Sequence, residues 1–275
     1  MSGWISVLEK LNALRSVLRG YGSCLVAYSG GVDSVLLAVT AREVLGGEGM
    51  LAAIADSPSL PRAELAEAKG LAERHEFALE VLRTGEFENP DYSTNPLNRC
   101  YFCKQELFSR LVPLARERGL TVIAYGENMS DLGDFRPGAK AAREFSVRAP
   151  LLEAGLSKED VREASRVLGL PTADKPQMPC LSSRIPHGEV VTAEKTGMIE
   201  RAEGFLRGLG FAEVRVRHHE TGPLARIEVP LGDMGRLGEQ ETFGLVVSSF
   251  KELGYAEVAV DERGYQRGSL NKISN

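Results

Sequence analysis

Ser29-Gly30-Gly31-Val32-Asp33-Ser34 stands between an apolar run, Cys24 to Tyr28, and a helical pattern from Ser34 to Val44. A glycine-rich turn that leaves a buried strand and enters a helix gathers backbone N–H groups and the helix dipole around one point, which suits an anion. The glycines let backbone approach phosphate oxygens without a Cβ in the way, while Ser29 and Ser34 offer hydroxyls. Asp33 is the odd member, because a carboxylate beside phosphates is repulsive unless it holds the loop or shares a magnesium ion. A Gly-rich turn with a Ser/Asp cap and no ligand is the plainer alternative. Gly-x-x-x-x-Gly-Lys-Ser/Thr and Gly-x-Gly-x-x-Gly are both absent, so neither a Walker-type nor a dinucleotide loop is expected.

Outward from the loop, strands and helices alternate. Strands are expected at Leu51–Ala55, Ala78–Leu82 and Thr121–Tyr125, with helices at Arg62–His75 and Tyr101–Arg118 between them. An amphipathic helix carrying Trp4, Leu8, Leu11, Leu14 and Leu18 precedes them. This is the pattern of βαβ units and a parallel sheet, in which ligands bind beyond the carboxyl ends of the strands. Another unit is expected through Pro150–Leu152 and a helix N-capped by Ser157. The stretch from Pro171 to Gly188 carries four prolines and reads as a functional loop or linker. Beyond it the order α-β-β-α-β (Ala193–Leu209, Ala212–His218, Ala225–Val229, within Leu231–Leu253, Glu257–Val260) predicts a small two-layer α/β domain. The expected division is therefore residues 1–188 and 189–275.

The 275 residues are 43% apolar and 26% charged, which predicts a soluble globular chain rather than a disordered or collagen-like one. No run approaches the roughly 20 apolar residues of a membrane span, and no signal segment opens the sequence, so a cytoplasmic protein is expected. A net charge of -5 argues against a broad nucleic-acid footprint.

Four cysteines are too few for a disulfide scaffold at this length. Cys100 and Cys103 open a helix in Asn98-Arg99-Cys100-Tyr101-Phe102-Cys103-Lys104, and Cys180 lies in Pro179-Cys180-Leu181-Ser182-Ser183-Arg184. If they meet, three thiolates ligate a [4Fe–4S] cube and leave one iron open. Arg99, Lys104 and Arg184 favour the thiolate forms. A zinc site completed by His187 and a set of unligated thiols are the other two readings. Cys24, on an apolar strand, is expected to be a packing residue. In the segment after the strand ending at Tyr125, Gly126, Glu127 and Asp131 face the phosphate loop; Glu127 and Asp131 are candidate magnesium or ribose contacts and Arg136 a candidate for the leaving phosphates. A solvated polar turn is the alternative there. Arg215 and Arg217 alternate on a strand and so share a face, as a phosphate clamp or as a salt-bridged surface pair.

The loop resembles the PP-loop of the ATP pyrophosphatases, Ser-Gly-Gly-x-Asp-Ser, which cleave ATP to AMP and pyrophosphate. Together with Asn98 to Lys104, Gly126-Glu127-Asn128…Asp134-Phe135-Arg136-Pro137-Gly138, Pro179 to Pro186 and the ending Gly264-Tyr265-Gln266-Arg267-Gly268-Ser269-Leu270-Asn271, it makes nearly the whole chain similar to the LarE family. The resemblance implies a PP-loop ATP pyrophosphatase (adenine nucleotide alpha hydrolase-like) parallel-sheet domain with a smaller C-terminal α/β domain for substrate binding and assembly into a hexamer. It implies an ATP-dependent sulfurtransferase that adenylates the carboxylates of pyridinium biscarboxylic acid mononucleotide and turns them into thiocarboxylates for the nickel-pincer cofactor of lactate racemase. Adenine and ribose would lie at Asp56 and Ser57, the triphosphate with magnesium at Ser29, Gly30, Gly31, Asp33 and Ser34, and the substrate phosphate at Ser183, Arg184, Arg215 and Arg217. Some members sacrifice the sulfur of a lone cysteine matching Cys180; a member with Cys100, Cys103 and Cys180 resembles the kind that delivers sulfide from a [4Fe–4S] cluster. A tRNA thiolase, or a nucleotide-binding regulator with structural zinc, is the competing reading.

Overall fold

The computed structural model describes residues 2–133, 136–219 and 223–265. Along the chain these form α1 (Ser2–Tyr21), β1 (Cys24–Ala27), α2 (Val32–Gly49), β2 (Met50–Asp56), α3 (Arg62–Arg74), β3 (Leu79–Arg83), the short α4 (Pro90–Ser93), α5 (Arg99–Glu117), β4 (Val122–Tyr125), α6 (Pro137–Glu144), the short α7 (Pro150–Glu153) and α8 (Lys158–Val167). Then follow α9 (Ala193–Gly208), β5 (Arg215–His219), β6 (Leu224–Glu228), the short α10 (Met234–Leu237), α11 (Gln240–Glu252) and β7 (Glu257–Val260). They divide into two compact units, residues 1–86 with 98–178, and residues 87–97 with 179–275.

The first unit is a parallel sheet in the order β3-β2-β1-β4. Its central strands β1 and β2 are buried on both faces, as parallel strands are. Cys24 and Val26 of β1 face a core of Leu11, Leu14, Leu18, Leu36, Leu71 and Val161 from α1, α2, α3 and α8. Leu25 and Ala27 face the opposite core of Phe108, Leu111, Ala141 and Val147, built on α5 and α6. This is the α/β architecture with a parallel sheet expected from the alternation. The chain leaves β1 toward β2 on one side and returns to β4 on the other, so the carboxyl ends of β1 and β4 flank a topological switch point.

Ser157 caps α8 as expected and does so in a capping box with Asp160. The unit expected through Pro150–Leu152 opens on the helical turn α7 and not on a strand, with Pro150 at its start. Proline lacks the N–H that a ladder requires and is preorganised for a first helical turn. The sheet contact falls just before it, as a single bridge between Arg148 and Ala124.

The second unit holds a sheet in the order β5-β6-β7, antiparallel then parallel. Val216, Ala225 and Ile227 pack against Met198, Leu206, Val246 and Phe250 of α9 and α11, giving the two layers expected.

Candidate functional site

In the first unit, the turn after β1 is short because α2 begins at Val32, so Asp33 and Ser34 lie in the first turn of that helix. Gly31 at the N-cap position provides no side chain to the helix amides, which leaves the first-turn N–H groups to an incoming acceptor. The buried Ser34 hydroxyl organises the turn: it accepts from the Ser29 N–H at 3.1 Å, lies 3.1 Å from Ser29 Oγ and donates to the Gly31 carbonyl at 3.1 Å. Gly30 has φ +71°, and a Cβ there would come within 2.9 Å of the Ala68 Cβ on α3. Glycine is therefore required both by conformation and by the close approach of α3.

The loop after β4 closes on this turn. A Cβ on Gly126 would meet the Asp33 Cβ at 3.0 Å and the Ser34 nitrogen at 3.1 Å. Buried Asn128 donates its side-chain amide to Asp33 Oδ1 at 3.0 Å, and Lys158 at the start of α8 donates its ammonium to Asp33 Oδ2. Asp33 is thus tied to two other elements. Asn128 also accepts from the Ser130 N–H at 2.9 Å, while Asp131 Oδ2 accepts from the Asn128 N–H at 3.1 Å. Asp131 and Arg136 pair with each other, and Tyr125 donates its hydroxyl to Glu127. Tyr101, Phe102, Glu127, Asp131, Arg136 and Lys140 are among the residues lining a cleft of about 600 Å³.

After β2, Asp56 accepts from Arg62 and the buried Ser57 hydroxyl lies 2.8 Å from that of Ser59. Arg62 also donates to the carbonyls of Ser57 and Leu60 at 2.8 Å each. Lys175 sits between the Ser29–Ser34 turn and α3. Its ammonium is 2.8 Å from Glu64, 2.7 Å from Glu67 and 3.5 Å from the Gly30 carbonyl. Burial works against its charge, but the two carboxylates outweigh burial and raise its pKa. Lys158, Arg62 and Lys175 were not singled out from the sequence, whereas Asn128 stood in the quoted Gly126-Glu127-Asn128 stretch without a role of its own. Only Lys158, next to the Ser157 cap, carried a local signal.

Cys100 and Cys103 stand three residues apart in the first turns of α5, Cys100 exposed and Cys103 half-buried. That helix meets α6 closely, since a Cβ on Gly138 would be 3.0 Å from Lys104 Cγ and 3.5 Å from the Cys100 carbonyl. Cys24 is a fully buried packing residue, as expected, and burial pushes its thiol up to about 12.

Cys180 belongs to the second unit, half-buried at the N-terminal edge of a 3₁₀ turn spanning Leu181–Arg184. Its carbonyl accepts from the Ser183 N–H at 2.9 Å, the Ser183 hydroxyl at 2.7 Å and Arg184 Nη1 at 3.0 Å. Arg184 is fully buried and bound by both its Nε and Nη2 to Glu203, at 2.8 and 3.1 Å. Glu203 would be raised by burial alone, yet Arg184, Arg207 and Arg215 hold its carboxyl below the usual range. Arg217 makes a bidentate pair with buried Glu228 at 2.9 and 2.7 Å and donates to the Ser183 carbonyl at 3.0 Å. Arg215 is buried too, donates to the Val214 carbonyl at 2.8 Å and lies 5.2 Å from the Tyr265 ring. Burial, and after it the neighbouring Arg184 charge, lower its pKa. His187 Nδ1 lies 3.3 Å from the Asn95 carbonyl.

Among the described residues, no group of three or more His, Cys, Asp or Glu side chains is gathered as around a metal ion. Nor, among them, is any helix long and apolar enough to cross a membrane. Asp134, Phe135 and residues 266–271 of the quoted motifs lie outside the described residues.

No family model matches the chain. It is 46% identical over 265 residues to an uncharacterised protein of Synechocystis, covering 96% of this chain and 98% of the relative. It is 33% identical over 267 residues to the pyridinium-3,5-bisthiocarboxylic acid mononucleotide synthase of Lactiplantibacillus plantarum, covering 97% and 95%. An uncharacterised protein of Methanocaldococcus jannaschii is 27% identical over 262 residues, covering 94% and 98%.

Proposed function

Because the chain belongs to the LarE family, we propose that it is an ATP-dependent sulfurtransferase that converts the carboxylates of pyridinium biscarboxylic acid mononucleotide to thiocarboxylates. The observation that carries the ATP half of this reading is the closure of the β4 loop on the β1 loop through Asn128 and Asp33. An open helix N-terminus, two serine hydroxyls and an Asp33 held by Asn128 and Lys158 lie together at the switch point of the sheet, which supports a triphosphate there.

A carboxylate is a poor electrophile, and transfer of AMP to its oxygen creates a leaving group. The substrate oxygen attacks the α-phosphorus of ATP, the bond to the β-phosphate breaks, and pyrophosphate leaves with the electron pair. Ser29, Gly31 and Ser34 would hold the phosphates through N–H and O–H groups, while the side chains at Asp56 and Ser57 would receive ribose and adenine. Magnesium would arrive with ATP; Asp33, Glu127 and Asp131 are the carboxylates on hand, each held by the partners described above.

In the second unit, Arg215 is a desolvated cation and would bind the substrate's phosphate beside Ser183. Arg217 adds positive charge only beyond what Glu228 neutralises. Arg184 fixes the backbone that carries Cys180. Cys100 is exposed and Cys103 and Cys180 are half-buried; by the family resemblance these three thiolates would be the donor set of a [4Fe–4S] cluster, whose soft iron suits sulfur ligands. When bound, such a cluster would supply the sulfur that displaces AMP. Assembly into a hexamer is part of the same proposal.

Incubation of the full chain, reconstituted anaerobically with iron and sulfide, with ATP, the pyridinium mononucleotide and added sulfide tests this. AMP, pyrophosphate and a thiocarboxylate are expected. ADP with orthophosphate, or turnover on tRNA in place of the mononucleotide, would overturn it.

A further inference from the structure

The turn Ser29 to Ser34 contains no cation of its own and includes one carboxylate. An ATP triphosphate brings three or four negative charges to such a turn, and helix amides alone offset about half an elementary charge. Lys158 is engaged with Asp33. Lys175 differs in its surroundings: its side chain is 12% exposed, it touches the Gly30 carbonyl of the loop itself, and it faces two carboxylates, Glu64 and Glu67, for one ammonium. The close packing of Gly30 on Ala68 keeps α3, which supplies both glutamates, against the loop.

We infer that Lys175 is the cation that binds pyrophosphate at this turn, held by Glu64 and Glu67 while the turn is empty and taken over by the β- and γ-phosphate oxygens when ATP binds. The inference deepens the nucleotide reading above and rests on it. Lys175 gives up no proton; its N–H groups stabilise the anionic oxygen that forms as pyrophosphate departs. Glu64 and Glu67 therefore compete with the ligand for one cation, and this separates a phosphate-binding lysine from a strut between the 171–178 segment and α3.

Calorimetric titration of the full chain with magnesium pyrophosphate, ATP and AMP tests the exchange. Lys175→Met should weaken pyrophosphate and ATP binding by about tenfold or more, the worth of one charge-assisted hydrogen bond, and leave AMP affinity unchanged; retained AMP binding also reports a folded loop. Lys175→Arg should recover most of the loss. Glu64→Gln combined with Glu67→Gln should tighten pyrophosphate binding, because the competing anions are gone. Wild-type pyrophosphate affinity in Lys175→Met, or unchanged or weaker binding in the double glutamine variant, would overturn the inference while the nucleotide reading stands. A wild-type chain that binds none of the three ligands would overturn that reading and the inference with it.

Discussion

Asn128 and Asp33 are 95 residues apart in the chain and 3.0 Å apart in space, joining the ends of two neighbouring strands by one amide-to-carboxylate hydrogen bond. Asn128 also caps its own turn, so one buried side chain serves two purposes. Asn128→Ala should cost about 1–3 kcal/mol of stability and lower pyrophosphate release more than substrate binding. Urea melts set beside a pyrophosphate assay check this; an active, equally stable variant would refute it.

Gly30→Ala places a Cβ at 2.9 Å from that of Ala68 on backbone at φ +71°. Neither atom belongs to a flexible side-chain end, so about 1–3 kcal/mol of destabilisation is expected, with ATP binding lost. Gly70→Ala is the contrast, on the same helix with nothing within 4 Å. It should stabilise the chain by up to about 1 kcal/mol.

The two strand arginines should behave differently. Arg217→Ala leaves the Glu228 carboxylate buried without its bidentate partner, and about 3–5 kcal/mol of stability should go with it. Arg215→Met should spare more of the fold, raise KM for the mononucleotide about tenfold and leave KM for ATP unchanged. Equal effects of Arg215→Met on both substrates would count against its phosphate role.

Asp261 has its carboxyl lowered to about 2, chiefly by Arg263, against the ordinary 3.8. A depressed carboxylate stabilises the fold above its unfolded pKa and ceases to do so as pH falls through the folded one. Stability should therefore fade from about pH 4 toward about pH 2, and Asp261→Asn should flatten that slope. Urea midpoints across this range would show it.

Much of the first unit was legible in the sequence because strand and helix periodicities differ and because Ser157 with Asp160 forms a local capping pattern. Pro150 to Leu152 carried no such distinction, since an apolar Pro-Leu-Leu reads equally as strand or as first helical turn. Lys158 as a partner of Asp33, and Lys175 as a partner of the Gly30 carbonyl, were illegible. Lys158 lies 125 residues from Asp33 and Lys175 lies 145 from Gly30, and no period connects them. The buried pairs Arg184–Glu203 and Arg217–Glu228 were equally hidden, since an arginine's place in the sequence carries no sign of whether its partner is a substrate or a glutamate.

Residues 87–97 belong with 179–275 rather than with their sequence neighbours. Within that unit, Asn95 donates to the carbonyls of Ile185 and Pro186, and Tyr92 reaches Ser182. The chain therefore passes between the units three times, after residues 86, 97 and 178. The smaller unit is not a cassette that one cut releases or one fusion transplants. A fragment beginning near residue 179 would leave the 182–186 backbone without the Asn95 and Tyr92 groups that fasten it, so inheritance or engineering of this unit has to carry two separate stretches of gene together.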